Sequence, residues 1–329
     1  MEKVLVTGAG GFIGSRLTLK LAESGIKVRA LYHSKINSNL KHENIEFVKA
    51  DILGKSSLEN AIVGCSKIFH VAALANNWAK NPKQFYDVNV TGTQNVLDTA
   101  KKFSIEKIVF TSTAGTIGPS LDGRLITEKN NSILFSDYEK SKAEAEMKIL
   151  LAVKSGMNIV IVNPTRVFGP GEMSKSNAVT KIIHKYIQRK WKIKIGNGEH
   201  IGNYAFVEDI VDGNILAMKN GMTGERYLLG GHNLTFNNFI EIVSNVSGIK
   251  NNLVPVPLAL IGTYAIIEDV LANLFGLEPK ITYSWVKKYM ANWSTSIAKA
   301  ENELGYKITP IETAIEKTIT WLKQNENRI

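Results

Sequence analysis

Several things are scarce in this chain, and each scarcity excludes a class. One cysteine, Cys65, stands among 329 residues, so no intrachain disulfide can form and a secreted disulfide scaffold is excluded. The longest apolar stretch, Leu258 to Ile267, is too short for a membrane span and is followed at once by Glu268 and Asp269. No membrane span is expected. The first strand is expected by Lys3, which leaves no room for a signal peptide, so the expected compartment is cytoplasmic. The formal charge is +10, yet no run of Lys and Arg exceeds two residues. The densest basic stretch, Lys175 to Lys194, reads either as a solvated helix face or as an attractor of an anionic cofactor or substrate. No aromatic platform is interleaved with it, so nucleic-acid binding is not expected. There is no internal repeat and no low-complexity linker, and no metal site is proposed.

What is present starts at the N-terminus. Val4-Leu5-Val6 has strand length and β-branched content. Gly8, Gly11 and Gly14 follow at a spacing of three, and a helical pattern begins after Gly14. A strand, a glycine turn and a helix in that order build a phosphate cradle. Further apolar runs read as strands at Lys27–Tyr32, at Ile45–Val48 with its end at Asp51-Ile52, at Ile68–Val71, at Ile108–Thr111 and at Ile159–Val162, the last stopped by Pro164. Helices are expected over Ser56–Val63 with Ser56 as cap, from Pro82 to Lys102 with breaks, from Ser136 to Val153 and from Val207 to Lys219. Alternating units of this kind specify an α/β fold, a doubly wound parallel sheet of the Rossmann type. From Phe168 the regularity fails. Residues 1–167, rejoined by 204–230, are assigned to the dinucleotide-binding domain. Residues 168–203 and 231–329 are assigned to a smaller, mostly helical substrate lobe. The apolar segment Val254 to Leu277, with Tyr264 and Phe275, is a candidate wall of a substrate pocket or a helix packed into that lobe.

The second strand ends without the acid that usually holds the ribose hydroxyls of NAD. From Arg29 to Lys41 there is no Asp or Glu, and Arg29, His33, Lys35, Lys41 and His42 occupy the region. Such a loop attracts a 2′-phosphate, which favours NADP over NAD. Asp51, after the neighbouring strand, is placed near the adenine. Tyr138 and Lys142 lie four residues apart and share one helix face. A nearby ammonium favours the phenolate, so the pair suits proton exchange with an alcohol or carbonyl oxygen. The fifth strand ends in Thr111-Ser112-Thr113, where a hydroxyl can polarise the same oxygen.

Together these segments resemble the extended short-chain dehydrogenase/reductase family, the NAD-dependent epimerase/dehydratase superfamily. Further carriers are His70-Val71-Ala72-Ala73, Asn89-Val90-Thr91-Gly92-Thr93, Asn163-Pro164 through Gly171, and Phe206-Val207-Glu208-Asp209-Ile210. The resemblance implies a catalytic set of Thr113, Tyr138 and Lys142, with Ser112 beside it. It implies a cofactor site formed by Gly8, Gly11, Phe12, Ile13, Gly14, His33, Lys35, Asp51, Ile52, Val71, Ala72, Ala73, Asn89, Tyr138, Lys142, Pro164 and Val167. Asn89 in such families organises the active-site helix, and Pro164 and Val167 pack the nicotinamide ring. Three departures narrow the function. Ala114 and Gly115 stand where family dehydratases carry an acidic pair. Gly202-Asn203-Tyr204 stands where sugar-nucleotide epimerases carry a pyrophosphate-gripping arginine, although Arg166 or the 175–194 segment can substitute. The second-strand acid is missing. The expected activity is therefore reduction of a ketone or aldehyde, or oxidation of the alcohol, in the manner of the dihydroflavonol reductase and 3β-hydroxysteroid dehydrogenase branch. The alternative is a sugar or sugar-nucleotide epimerase that uses NAD(P) transiently. A homodimer through 89–102 and 138–153 is a further implication of the resemblance.

Overall fold

The computed structural model describes residues 3–34, 40–130, 133–171, 173 and 177–326. In the first half, strands and helices alternate as β1 (Lys3–Thr7), α1 (Phe12–Glu23), β2 (Lys27–Tyr32), β3 (Ile45–Lys49), α2 (Lys55–Ile62), β4 (Lys67–His70), α3 (Lys83–Tyr86), α4 (Gly92–Lys102), β5 (Lys107–Thr111), α5 (Asp137–Lys154) and β6 (Ile159–Pro164). The second half runs β7 (Arg166–Phe168), α6 (Ala178–Ile187), β8 (Ile193–Ile195), β9 (Ile201–Phe206), α7 (Val207–Asn220), β10 (Arg226–Leu229), β11 (His232–Thr235), α8 (Phe236–Ser247), β12 (Val254–Val256), α9 (Leu258–Phe275), α10 (Tyr283–Met290), α11 (Ala298–Leu304) and α12 (Ile311–Gln324).

The main sheet is seven-stranded and parallel, in the order β10-β6-β5-β4-β1-β2-β3. Alternation along each strand sends side chains to two separate cores. Val4, Val6, Val28, Phe69, Val109 and Val160 pack toward α1, α7 and α11. Leu5, Leu31, Ile68, Ile108, Phe110 and Ile161 pack toward α2, α4 and α5. A third core, with Phe168, Tyr186, Tyr204, Phe239 and Ile315, holds the small lobe together. That lobe carries a three-stranded sheet, β11-β9-β7, and a two-stranded one, β12-β8.

Local details depart from the sequence reading. Gly54, not Ser56, precedes the first turn of α2, while Ser57 Oγ donates back to the carbonyls of Asp51 and Gly54. The helical run after Pro82 passes through a π-helical turn at Asp87–Thr91. β9 pairs with β7 and β11, so the return to the large domain begins at Val207. Residues of α11 and Tyr306 also join the large domain's core. The apolar run at Leu258 does not stop at Glu268 and Asp269. It continues to Phe275 as an 18-residue helix, long and apolar enough to cross a membrane by length and composition. The apolar segment is thus longer than the run read from the sequence.

Candidate active site

At the carboxyl ends of β1, β4, β5 and β6 lies a cleft of about 1410 Å³, closed on its far side by the small lobe. Its floor is the glycine turn. Gly8 has φ +69, and a Cβ there would meet the backbone of Ala72 at 2.7 Å. A Cβ on Gly14 would sit 2.1 Å from the Gly8 carbonyl oxygen. Only glycines let strand and helix close to this distance. Gly11 caps α1 without a side-chain hydrogen bond, and no acid occupies the first turn. The helix start is therefore left for an anion, which is the fit a dinucleotide pyrophosphate requires.

Most residues singled out in the sequence converge here. Gly8, Gly11, Phe12, Ile13 and Gly14 line the cleft together with His33, Asp51 and Ile52. So do Val71, Ala72, Ala73, Ser112, Thr113, Tyr138, Pro164 and Val167. Asn89 and Lys142 lie behind its wall. Lys35 lies outside the described residues. Of the other basic groups after β2, Lys41 lines the cleft. Arg29 does not reach it: it is buried, donating to the carbonyls of Ala61 and Val63 and to Glu46. His42 accepts the Asn44 amide instead. His33 Nε2 lies 3.5 Å from Asp51 Oδ2, so an acid does stand at this end, supplied by the neighbouring strand.

The helix that carries Tyr138 and Lys142 starts at Ser136, whose side chain accepts from the Glu139 amide. Tyr138 is hydrogen-bonded by Thr113, and Thr113 Oγ1 accepts the Gly115 amide at 3.1 Å. Asn163 fixes this hydroxyl turn by donating to the Thr113 carbonyl at 3.0 Å, with Thr116 and Glu146 as further neighbours. Ser112 Oγ is buried and has no hydrogen-bond partner. Lys142 is buried with Nζ 2.9 Å from the Thr111 carbonyl and 3.9 Å from the Phe110 ring centroid. Asn89 accepts from the Leu74 amide and donates to Ser141 Oγ, tying β4's extension to α5.

The charge states differ from the expected ones. The phenol of Tyr138 is pushed well above its ordinary value by burial first and by the Glu139 carboxylate second, with the Thr113 bond opposing them. Burial lowers Lys142 to about 7, against the pull of Glu146. Burial thus works against the ammonium-stabilised phenolate expected from the sequence. Desolvation is the largest cause of both shifts, and Lys142 Nζ donates to the Thr111 carbonyl. Burial holds Tyr138 in its protonated form, the form a proton donor needs.

Other residues around the site carry no signal in the local sequence. Glu139 is fully buried; it accepts from the Phe135 amide at 2.6 Å and pairs with Lys288 of α10 at 2.6 Å. Trp285 and Tyr289 of α10 stack at 5.4 Å and wall the outer cleft with Tyr204, Phe236 and Phe239. Arg166 lies 6.0 Å from the centroids of both the Tyr204 and Tyr289 rings. No residue of α9 lines this cleft: the helix packs against α10 with Ala265 and Ala272 buried, and most of it is exposed. Asp209 stays away from the site, binding the amide and hydroxyl of Thr309.

The family model described as NAD dependent epimerase/dehydratase matches residues 4–230. A Synechocystis sp. protein provisionally named dihydroflavonol 4-reductase is 33% identical over 328 residues, covering 97% of this chain and 94% of its own. Sterol demethylase protein B of Methylococcus capsulatus is 26% identical over 327 residues, 97% of this chain and 98% of its own. Among solved structures, the Thermotoga maritima UDP-glucose 4-epimerase with UDP-glucose superposes with a TM-score of 0.83 at 22% identity, over 98% of this chain and 99% of that one. That last likeness is one of fold.

Proposed function

This chain belongs to the NAD dependent epimerase/dehydratase family, and on that premise we propose that it reduces a large apolar ketone or aldehyde, or oxidises the matching alcohol. One observation carries the reading: a hydrogen-bonded Thr113–Tyr138 pair opens onto a wall of aromatic rings, Tyr204, Phe236, Trp285 and Tyr289 among them. Aromatic walls recognise flat apolar substrates through area burial and ring contacts. Asn203, at the epimerase arginine region, is instead buried and tied to Gly231 and Asn233.

The glycine turn and the start of α1 would hold the pyrophosphate, with Val71, Ala72, Pro164 and Val167 along the rest of the cofactor. The bound nicotinamide supplies or accepts the hydride. Tyr138, kept protonated by burial, gives its proton to the carbonyl oxygen as the charge on that oxygen develops. Thr113 and Ser112 orient that oxygen. Lys142, with its proton held weakly, returns a proton to Tyr138. We propose NADP as the preferred form, because His33 and Lys41 flank the end of β2. Asp51 beside His33 moderates that preference. A homodimer through α4 and α5 is part of the same proposal, supported by the exposed Met147 and Leu151, one turn apart on α5.

The test is cofactor consumption against aromatic ketones, steroid ketones, β-keto acids and keto sugars. Aromatic or steroid ketones should consume NADPH. Tyr138→Phe should lose about 10²–10⁴-fold in turnover while binding cofactor unchanged in a fluorescence titration. Interconversion of sugars with no net cofactor change would establish the epimerase instead, and tighter binding of NADH than NADPH would overturn the cofactor assignment.

A further inference from the structure

α9 is built inside out. Its 18 residues include two charges, Glu268 and Asp269, both partly exposed and both used on the segment that follows the helix. Glu268 accepts the Lys280 amide at 2.9 Å and Asp269 accepts the Tyr283 amide at 2.9 Å, so the two carboxylates fasten the loop before α10. The buried residues, Ala265 and Ala272, lie on the same stripe as these acids, seven apart. The outer face is apolar. Leu260, Ile267, Val270, Leu271, Leu274 and Phe275 are all 40% exposed or more. A surface helix of a water-soluble domain normally shows the reverse arrangement, and a contiguous apolar face of this size marks an interaction site.

The patch continues past the helix. β12 precedes it and pairs with β8, placing exposed Val254 beside exposed Ile193. This register brings the end of the basic stretch, with exposed Lys190 and Lys192, to the helix's N-terminal end. At the other end stands exposed Lys80, packed against Gly276, while exposed Lys280 lies beside the helix at Glu268. An apolar face with lysines at both ends complements lipid with anionic headgroups. A second copy laid on the same face by two-fold symmetry would bring lysines toward lysines. Spanning does not suit the helix either. β12 on one side and α10 on the other hold both its ends to one body, and two acids would enter the bilayer core.

We propose that α9 is an interfacial membrane-docking helix, lying in the plane of an anionic lipid surface with its apolar face in the acyl boundary. The C-terminal half of α9 walls a small depression that shares Asn77, Phe135, Ser136, Thr282 and Ser284 with the main cleft. Docking therefore sets the mouth of the cleft beside the lipid surface.

The experiment is flotation of the full chain with vesicles of phosphatidylcholine containing phosphatidylglycerol, and with vesicles of phosphatidylcholine alone. The protein should float with the anionic vesicles, less with the neutral ones, and less again at high salt. Leu274→Glu/Phe275→Glu should weaken flotation at least tenfold with an unchanged thermal midpoint, since both side chains lie in solvent. Leu260→Glu, at the opposite end of the face, provides a second variant with the same expected direction. No flotation with anionic vesicles overturns the proposal. So does a concentration-dependent dimer that Leu274→Glu/Phe275→Glu dissociates, which would give the face to a second copy. Retention on vesicles after alkaline carbonate washing would overturn it in favour of a span.

Discussion

His70 sits at the end of β4 between two hydroxyls, with Nδ1 2.7 Å from Thr7 Oγ1 and Nε2 3.0 Å from Thr93 Oγ1. Thr93 donates to the Asn89 carbonyl, so it must accept from His70 Nε2–H, and Thr7 then donates to Nδ1. The ring is neutral, and burial followed by the charge of Lys142 lowers its pKa from 6.5 to about 3. Below 6.5 the unfolded chain takes up a proton that the folded chain refuses until about 3, so stability falls as pH drops through this window. By about pH 4.5 this group alone should cost about 2–3 kcal/mol. Urea unfolding of wild type and His70→Gln at neutral and acid pH checks it. The variant should lose that much of the pH dependence, and equal slopes would remove His70 as the cause. At the same scale, Asp51→Asn should raise NADPH affinity relative to NADH by up to about tenfold, as one charge near a 2′-phosphate is removed. Which residues would meet at the candidate cleft was readable at this level. Tyr138 and Lys142 follow from helix period, and Thr113 from its place at a strand end. Their protonation was not readable, because burial decides it and burial belongs to the folded chain.

At the scale of elements, α5 is held at both its start and its side. Ser136 caps it, and Asn89 in the π-helical turn reaches Ser141 one turn beyond Tyr138. Ser136→Ala should cost about 1 kcal/mol in stability. Its larger effect should be on turnover, since the freed turn is the one that carries Tyr138. A thermal midpoint and a turnover number on the same sample separate the two. Gly14→Ala is the sharper test of the nucleotide turn. Its Cβ has no room against the Gly8 carbonyl, so cofactor titration should show binding reduced at least tenfold or the protein failing to accumulate folded. Parallel strands were legible as short apolar runs because both sheet faces are covered. The break in the helix after Pro82 was only half legible: no residue type between Asp87 and Thr91 demands a π turn. It arises where Asn89 is drawn toward Leu74 and Ser141.

On the scale of the molecule, long-range charge pairs fasten segments far apart in the sequence, and one of them joins α5 to α10 of the small lobe. Arg226 meets the buried Glu146 at 2.7 Å, and Lys288 reaches the buried Glu139 at 2.6 Å. Lys288→Met strands a carboxylate without its cation. The expected loss is roughly 2 kcal/mol, less than for a fully buried pair because the Lys288 side chain stays 32% exposed. Adding Glu139→Gln should recover most of it, and a double-mutant cycle by denaturant melts measures the coupling. None of this was legible beforehand. Lys288 and Glu139 are 149 residues apart in sequence, as remote as the α10 rings from the cleft they wall. Period and propensity report on neighbours, whereas the small lobe is assembled from segments that meet only in space.

The same buried carboxylate bears on how this chain can change. A Cβ on Gly115 would lie 2.9 Å from Glu139 Oε1 and Cγ. Position 115 is one of the two that carry acids in family members that eliminate water. In this lineage an acid there would collide with one already in place. Drift toward elimination chemistry by a single step is closed: Glu139 must be given up first, and Lys288, left without its partner, must follow. The absence of an acid at position 115 is thus held by the order in which substitutions would have to occur.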